Sequence, residues 1–389
     1  MAQGWQKAIP VNNMMTSLLV SILFALLLVL SVLYWQKLEE TDKQPDQVED
    51  DRVRPLLRGL NYLLSDQPDK ALDEVVKVAK LRSEATEVYM FLGEMFRNKG
   101  EYGRAVRIHQ NILARPHVSN TLYIQAQLAL ATDFHVGGLI DRAIRHYHKV
   151  LDVQSDNRVA LEALLRIHEL SDDWILAIDF LQRLERLDGV QEQHHAYLLA
   201  ALAEQALQAG DTAVAAKQAQ EARALSASCI HAHQVAVMSA LQSDDEAMTV
   251  EHIAVMADAT PDMLFLLLPA LLNHNSDTYS PLLLHYWQQH GTPDLALTWI
   301  EYIAEHQGQE QARSLRETLQ FKSETLRDSL RLVALFSPDD ELRGNAIAWR
   351  KHLKHYQCHY CGVQIEALRW QCPQCHQWGT LRSVRQELD

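Results

Sequence analysis

Four of the five cysteines stand together near the C-terminal end: Cys358, Cys361, Cys372 and Cys375. They form two C-x-x-C pairs with ten residues, Gly362 to Gln371, between them. Each pair can wrap a turn that points backbone amides at its sulfurs, and two such turns close one tetrahedral four-sulfur site. Gly362 suits the turn beyond Cys361, where φ is expected to be positive. Pro373 stiffens the second turn. Zinc is the first expectation, because four thiolates saturate it and leave no position open for catalysis. Iron in a rubredoxin-like site takes the same ligands, and spacing does not separate the two metals. A redox dithiol is a third reading, but two paired motifs so close together favour one closed site. His359 and His376 neighbour the ligands and are candidate replacements. A module of about 35 residues with little other core is expected to need its metal to fold.

Cys229 stands among Ala, Ser and Ile residues with no flanking Lys or Arg to lower its pKa, so it reads as a small apolar side chain. The histidines, such as His146, His148, His194, His195, His231 and His233, include H-x-H pairs whose members point to different faces of a helix. They are expected at the surface or half-buried, without metal. The chain contains no H-E-x-x-H, G-x-S-x-G or G-x-x-x-x-G-K-[ST]. No catalytic or organic-cofactor residue is therefore expected, and the chain reads as a non-enzyme.

The elements around the cysteines must position them. At 389 residues the chain exceeds one ordinary core, and its richness in Ala, Leu, Gln and Glu favours helix. A net charge of −14 opposes general nucleic-acid binding, which needs a basic face. One cysteine cluster in a large chain is an intracellular metal pattern rather than a disulfide framework.

Between Lys7 and Lys37 there is no charged residue, and from Met14 to Trp35 the only polar ones are Thr16, Ser17, Ser21 and Ser31. That run suffices for a transmembrane helix, which takes roughly 20 residues. Tyr34 and Trp35 close it at the interface. The run is too long for a signal peptide and no A-x-A site follows it. Lys7 precedes the span while Lys37, Lys43, Arg52 and Arg54 follow it, which places the body in the cytoplasm. Leu38 to Pro55 is mostly polar and charged and reads as an extended tether.

Internal repeats follow. Gly59, Tyr62 and Ala71 match Gly93, Phe96 and Ala105 at a shift of 34 residues. A glycine five residues before an alanine recurs at Gly100/Ala105, Gly138/Ala143, Gly210/Ala215 and Gly291/Ala296. This is the tetratricopeptide pattern, in which a small residue after a turn lets two antiparallel helices approach closely. Ile108, Ile112, Ile144, Tyr147 and Val150 form the expected buried stripe. The stretch from Ser226 to Pro281 reads as helical but lacks the glycine, and Gln309 to His352 reads as a helical cap. The predicted fold is thus an all-α tetratricopeptide-repeat superhelix with an N-terminal transmembrane helix and a small C-terminal rubredoxin-like or zinc-ribbon knuckle. Its divisions are 1–36 (extension and span), 37–55 (charged linker), 56–353 (repeats) and 354–389 (metal-binding domain).

These parts in this order resemble the lipopolysaccharide assembly protein B family of Gram-negative bacteria. "GLNYLLSDQPDKALD" and "FLGEMFRNKGEYGRAVRIHQNIL" are similar to its first two repeats, and "YQCHYCGVQIEALRWQCPQCHQWGTL" to its rubredoxin-like tail. The resemblance implies an inner-membrane adaptor facing the cytoplasm. Such adaptors work with a membrane-bound AAA+ metalloprotease to promote degradation of the deacetylase that commits carbon to lipid A, with lipopolysaccharide a further candidate partner. Trp370 and Trp378 are candidates for packing on the knuckle or facing a partner, with a place in a small core as the first expectation. A generic envelope scaffold and a rubredoxin-like electron carrier are the alternatives.

Overall fold

The computed structural model describes residues 12–42, 86–322, 325–352 and 355–384, together with Arg58, Tyr62 and Lys70. The first helix, α1 (Asn12–Asp42), contains an 18-residue window, Val20–Lys37, of mean hydropathy 1.8 with none of it buried. At 1.5 Å per residue that window is long and apolar enough to cross a bilayer core. The helix continues through the first residues of the expected tether, to Asp42, because nothing in "KLEETD" breaks it. The rest of the tether lies outside the described residues, as do Gly59 and Ala71 of the first expected repeat.

The chain divides into two compact units, residues 1–149 and 150–389. In the first, α2 (Thr86–Asn98) pairs with α3 (Tyr102–Leu113), and α4 (Asn120–Val136) is followed by α5 (Ile140–Val153). The glycine of each turn, Gly100 at φ +79° and Gly138 at φ +76°, takes a left-handed conformation that a Cβ disfavours. Ala105 and Ala143, five residues on, are fully buried, as the close helix approach demands. Ile108, Ile112, Tyr147 and Val150 are buried as expected, while Ile144 is half-buried. This unit also buries a polar network. Asp133 accepts from His109 Nδ1 at 2.5 Å and from Arg97 Nη1 at 2.9 Å, which satisfies a carboxylate that would otherwise be costly to bury.

In the second unit the helices run α6 (Arg158–Leu170), α7 (Trp174–Asp188), α8 (Glu192–Gln208), α9 (Thr212–Leu225), α10 (Ile230–Gln242) and α11 (Glu246–Ala259). Asn157, Asp211 and Asp245 cap three of them by accepting from Ala160, Val214 and Met248 amides. The small-residue rule continues where the glycine is missing. Asp172 at φ +56° stands five residues before Ala177, and Asp244 at φ +53° five before Thr249. Both small residues are fully buried. The stretch from Ser226, helical and without the glycine as read, therefore opens with a hairpin, α10 and α11, of the same turn geometry. Aspartate tolerates the left-handed turn, and threonine fills the alanine slot by turning its hydroxyl onto the Asp245 carbonyl at 2.7 Å.

Beyond a 3₁₀ turn at Pro261–Leu266 come α12 (Leu268–His290), kinked at Asn275, then α13 (Pro293–His306), α14 (Gln309–Leu319), α15 (Leu326–Phe336) and α16 (Asp340–His352). The helical reading of 309–352 holds over its described residues. The last described residues form a three-stranded antiparallel sheet of order β2-β1-β3, with β1 at Tyr356–Cys358, β2 at Gln364–Ile365 and β3 at Leu381–Ser383.

Candidate metal centre

The first C-x-x-C turn leads out of β1, and the second lies between β2 and β3, inside an isolated bridge of Gln371 to Trp378. Gly362 has φ +78°, as its place after Cys361 predicts, and its amide donates to the Cys358 carbonyl at 2.8 Å. The second turn repeats the geometry with a less suited residue. His376 follows Cys375 at φ +60°, and its amide donates to the Cys372 carbonyl at 3.0 Å. His376 thus serves the turn through its backbone. The ring of His359 is turned aside too, with Nδ1 donating to the Thr380 carbonyl at 2.8 Å.

All four Sγ atoms lie within 4.8 Å of one another. Cys358 to Cys375 and Cys361 to Cys372 measure 3.7 Å. A tetrahedron with metal–sulfur bonds of about 2.3 Å has edges of about 3.8 Å, so the donor set fits one thiolate-bound ion such as zinc or iron. Cys358 and Cys372 are buried and the other two half-buried. Burial opposes the Cys358 thiolate, but the Thr380 hydroxyl and the Cys361 and Tyr360 amides outweigh it and hold its pKa at about 6. Burial and the neighbouring sulfurs push Cys375 up to about 12. One thiolate therefore forms readily at Cys358 and opposes ionisation of Cys375 until a cation joins them. Cys229, far from this cluster in sequence, is fully buried and pushed up to about 12 by that burial, as suits an inert apolar side chain.

The knuckle is not free-standing. Trp378, 8% exposed, packs against Trp174, His194 and Tyr197 with ring centroids 6.1, 6.2 and 6.0 Å away. Trp370 stacks on His231 at 4.8 Å and 14°. Beneath them Glu169, 6% exposed, accepts from Trp378 Nε1 at 3.3 Å, Gln371 Nε2 at 3.0 Å and the His194 ring. A Cβ at Gly379 would come within 2.3 Å of the Tyr197 hydroxyl, so only glycine lets the backbone pass there. The two tryptophans consequently pack neither on the knuckle alone nor toward a free face, but into the repeat helices.

A second attachment joins the sheet to α13 and α15. Ser383 Oγ donates to Asp294 at 2.7 Å and accepts from Arg327. Behind it Arg331 grips Glu301 through both carboxylate oxygens, at 2.9 and 2.6 Å. Burial works against the Glu301 charge, yet Arg331 and Arg350 hold its carboxyl below the usual range.

Two of the six named histidines are more buried than their pattern suggested, and the other four are half-buried or exposed as expected. His231 and His233 are 1% and 2% exposed despite the H-x-H spacing, His231 donating to Glu204 at 2.8 Å and His233 to the Ala227 carbonyl at 2.8 Å. His194 and His195 face Glu169 and Glu185, His146 meets Gln127, and His148 is exposed. The socket residues Glu169, His194, Tyr197 and His231 carry no motif. One signal was present: Glu169 falls on the buried stripe of Leu161, Leu165 and His168, where an unpaired acid is not tolerated.

The helical hairpins and the four-sulfur ribbon together define a repeat protein with a rubredoxin-type metal domain. Residues 356–383 match the family described as Rubredoxin metal binding domain. Along nearly its whole length the chain is similar to lipopolysaccharide assembly protein B. The Haemophilus influenzae protein is 26% identical over 392 residues, covering 94% of this chain and 98% of that one. The Escherichia coli K12 protein is 26% identical over 396 residues, covering 94% and 99%. Among solved structures, the C-terminal part of a TPR repeat-containing protein from Cytophaga hutchinsonii aligns with 75% of this chain and 99% of its own, at 10% identity and TM-score 0.35. The family resemblance read from the sequence holds.

Proposed function

We propose that this chain is a membrane-anchored, non-catalytic adaptor in lipopolysaccharide assembly. In this reading it brings the lipid A pathway deacetylase to a membrane AAA+ protease and promotes its turnover. The observation that carries the reading is similarity over 94% of the chain to relatives named for lipopolysaccharide assembly. The apolar α1 supports an inner-membrane anchor, and the lysine and arginine excess after it supports a cytoplasmic body. An anchor confines adaptor and protease to one membrane and raises their effective concentration.

The domains follow the same division: span within 1–36, linker 37–55, repeats 56–353 and metal domain 354–389. Cys358, Cys361, Cys372 and Cys375 hold one structural ion, zinc in preference to iron, and the ion's part is to fix the fold of the tail. The repeats and the knuckle present the deacetylase or contact the protease.

The test is the half-life of the deacetylase in cells depleted of this protein. The expected result is a longer half-life with accumulation of lipopolysaccharide. An unchanged half-life would overturn the adaptor role.

A further inference from the structure

Both tryptophans that enter the repeat array belong to one short hairpin, and that hairpin is the second metal knuckle. Its base is the bridge between Gln371 and Trp378, with the Gly379 amide donating to the Trp370 carbonyl at 2.7 Å. Its tip carries Cys372 and Cys375. Trp370 lies two residues before the first of these and Trp378 three after the second. Whatever fixes the two sulfurs fixes the distance and angle between the two indoles.

We propose that the metal gates this dock: its loss releases the hairpin 370–379 from a socket on α6, α8 and α10 while the repeat helices stay folded. The inference rests on the four cysteines holding a metal. Three observations carry it further. The knuckle's own fully buried apolar core is Cys358, Cys372 and Leu381, of which two are the prospective ligands. Without the ion, little remains to hold the hairpin's shape. The socket also demands an accurate register. Glu169 is buried and satisfied by donors from Trp378 and Gln371, and the Gly379 backbone passes Tyr197 without room for a Cβ. A half-docked hairpin would leave that carboxylate short of partners, so the contact is made or broken as a unit.

The helices, by contrast, have cores of their own. Ala203, Ala215, Ala219 and Val235 pack α8, α9 and α10 together without the knuckle. The sheet-side bond of Ser383 to Asp294 involves neither the hairpin nor its socket. The hairpin can therefore leave without carrying the array with it.

Linkage makes the gate reciprocal: if the metal tightens the dock, the dock tightens the metal by the same factor. The full-length protein in detergent, first assayed for metal content, would be followed by hydrogen exchange with zinc, after chelation, and after zinc is restored. Chelation should speed exchange in 370–379 by about tenfold or more, leave α9 and α13 unchanged, and be reversed by zinc. Glu169→Ala, which touches no sulfur, should bind zinc more weakly than the parent chain. Protection of 370–379 that survives chelation would overturn the gate, as would loss of α9 and α13 together with it, or unchanged zinc affinity in Glu169→Ala. A purified chain with no metal would overturn the metal reading itself, and the gate with it.

Discussion

Trp378 donates its indole N–H to Glu169 across 3.3 Å, joining two residues 209 positions apart. The acid sits on the buried face of α6 and the indole on the metal hairpin, so one contact ties the repeat array to the C-terminal module. Trp378→Ala removes the ring and its hydrogen bond, an expected cost of about 3–5 kcal/mol. Trp378→Phe keeps most of the packing and leaves one acceptor short of a donor, costing about 1–2 kcal/mol. Limited proteolysis of the C-terminal module should rank the alanine variant as the most readily cleaved, then phenylalanine, then the parent. Equal rates in all three would contradict the contact's role.

Gly93 admits no side chain. A Cβ there would lie 2.2 Å from His109 Nε2, and that ring is pinned by Asp133, which Arg97 holds in turn. The ring cannot swing away without stranding a buried carboxylate. Gly93→Ala should destabilise the first unit by about 3 kcal/mol, read as a lower urea midpoint. Alanine's better helix propensity, about 1 kcal/mol, is too small to reverse the sign.

Thr249 occupies the slot that alanine fills in neighbouring repeats and is fully buried. Thr249→Ala should cost about 1 kcal/mol, because alanine fits the slot but gives up the hydroxyl's bonds to the Asp245 carbonyl and to Tyr279. Thr249→Leu should cost about 1–3 kcal/mol by forcing α10 and α11 apart. A stable leucine variant would mean that this stretch lacks the close approach of a repeat.

Acid should loosen the second unit in two windows. Burial first, then Arg223, holds the His233 and His252 pKa values below the ordinary 6.5. The unfolded chain then binds these protons more readily than the folded one. Their contribution is complete above pH 6.5 and is lost as pH falls through that value toward the folded pKa values. Glu204, held below its ordinary 4.5 chiefly by the hydrogen bond from His231, adds stability above 4.5 that disappears at lower pH. The urea midpoint should be lower at pH 5.5 than at 7.5, and the difference should shrink in His233→Gln. A midpoint independent of pH would contradict the assignment.

Much of this was legible in the residues. The Gly-x₄-Ala spacing announced hairpins, since only a turn that needs positive φ followed by a slot that needs a small side chain imposes both residues at that distance. The C-x-x-C pairs announced the four-sulfur geometry for the same local reason. Asp172 and Asp244 escaped notice because aspartate reaches the left-handed turn without looking like glycine, and Thr249 because a buried hydroxyl can bond its own helix. The socket escaped for a different reason. Glu169, His194, Tyr197 and His231 meet the tryptophans only through tertiary packing across separations from 139 residues (His231 to Trp370) to 209 (Glu169 to Trp378), and no spacing rule reaches that far. His231 and His233 alone of the named histidines lie deeper than expected, because helical periodicity gives directions, not what lies in those directions.

Everything proposed for the C-terminal module stands on its ion, and metal analysis with X-ray absorption on the purified full-length chain tests it most directly. The prediction is one zinc per chain bound by four sulfurs at about 2.3 Å, reduced to background in Cys372→Ser. Substoichiometric metal, or a shell containing nitrogen or oxygen donors, would contradict a closed four-cysteine centre.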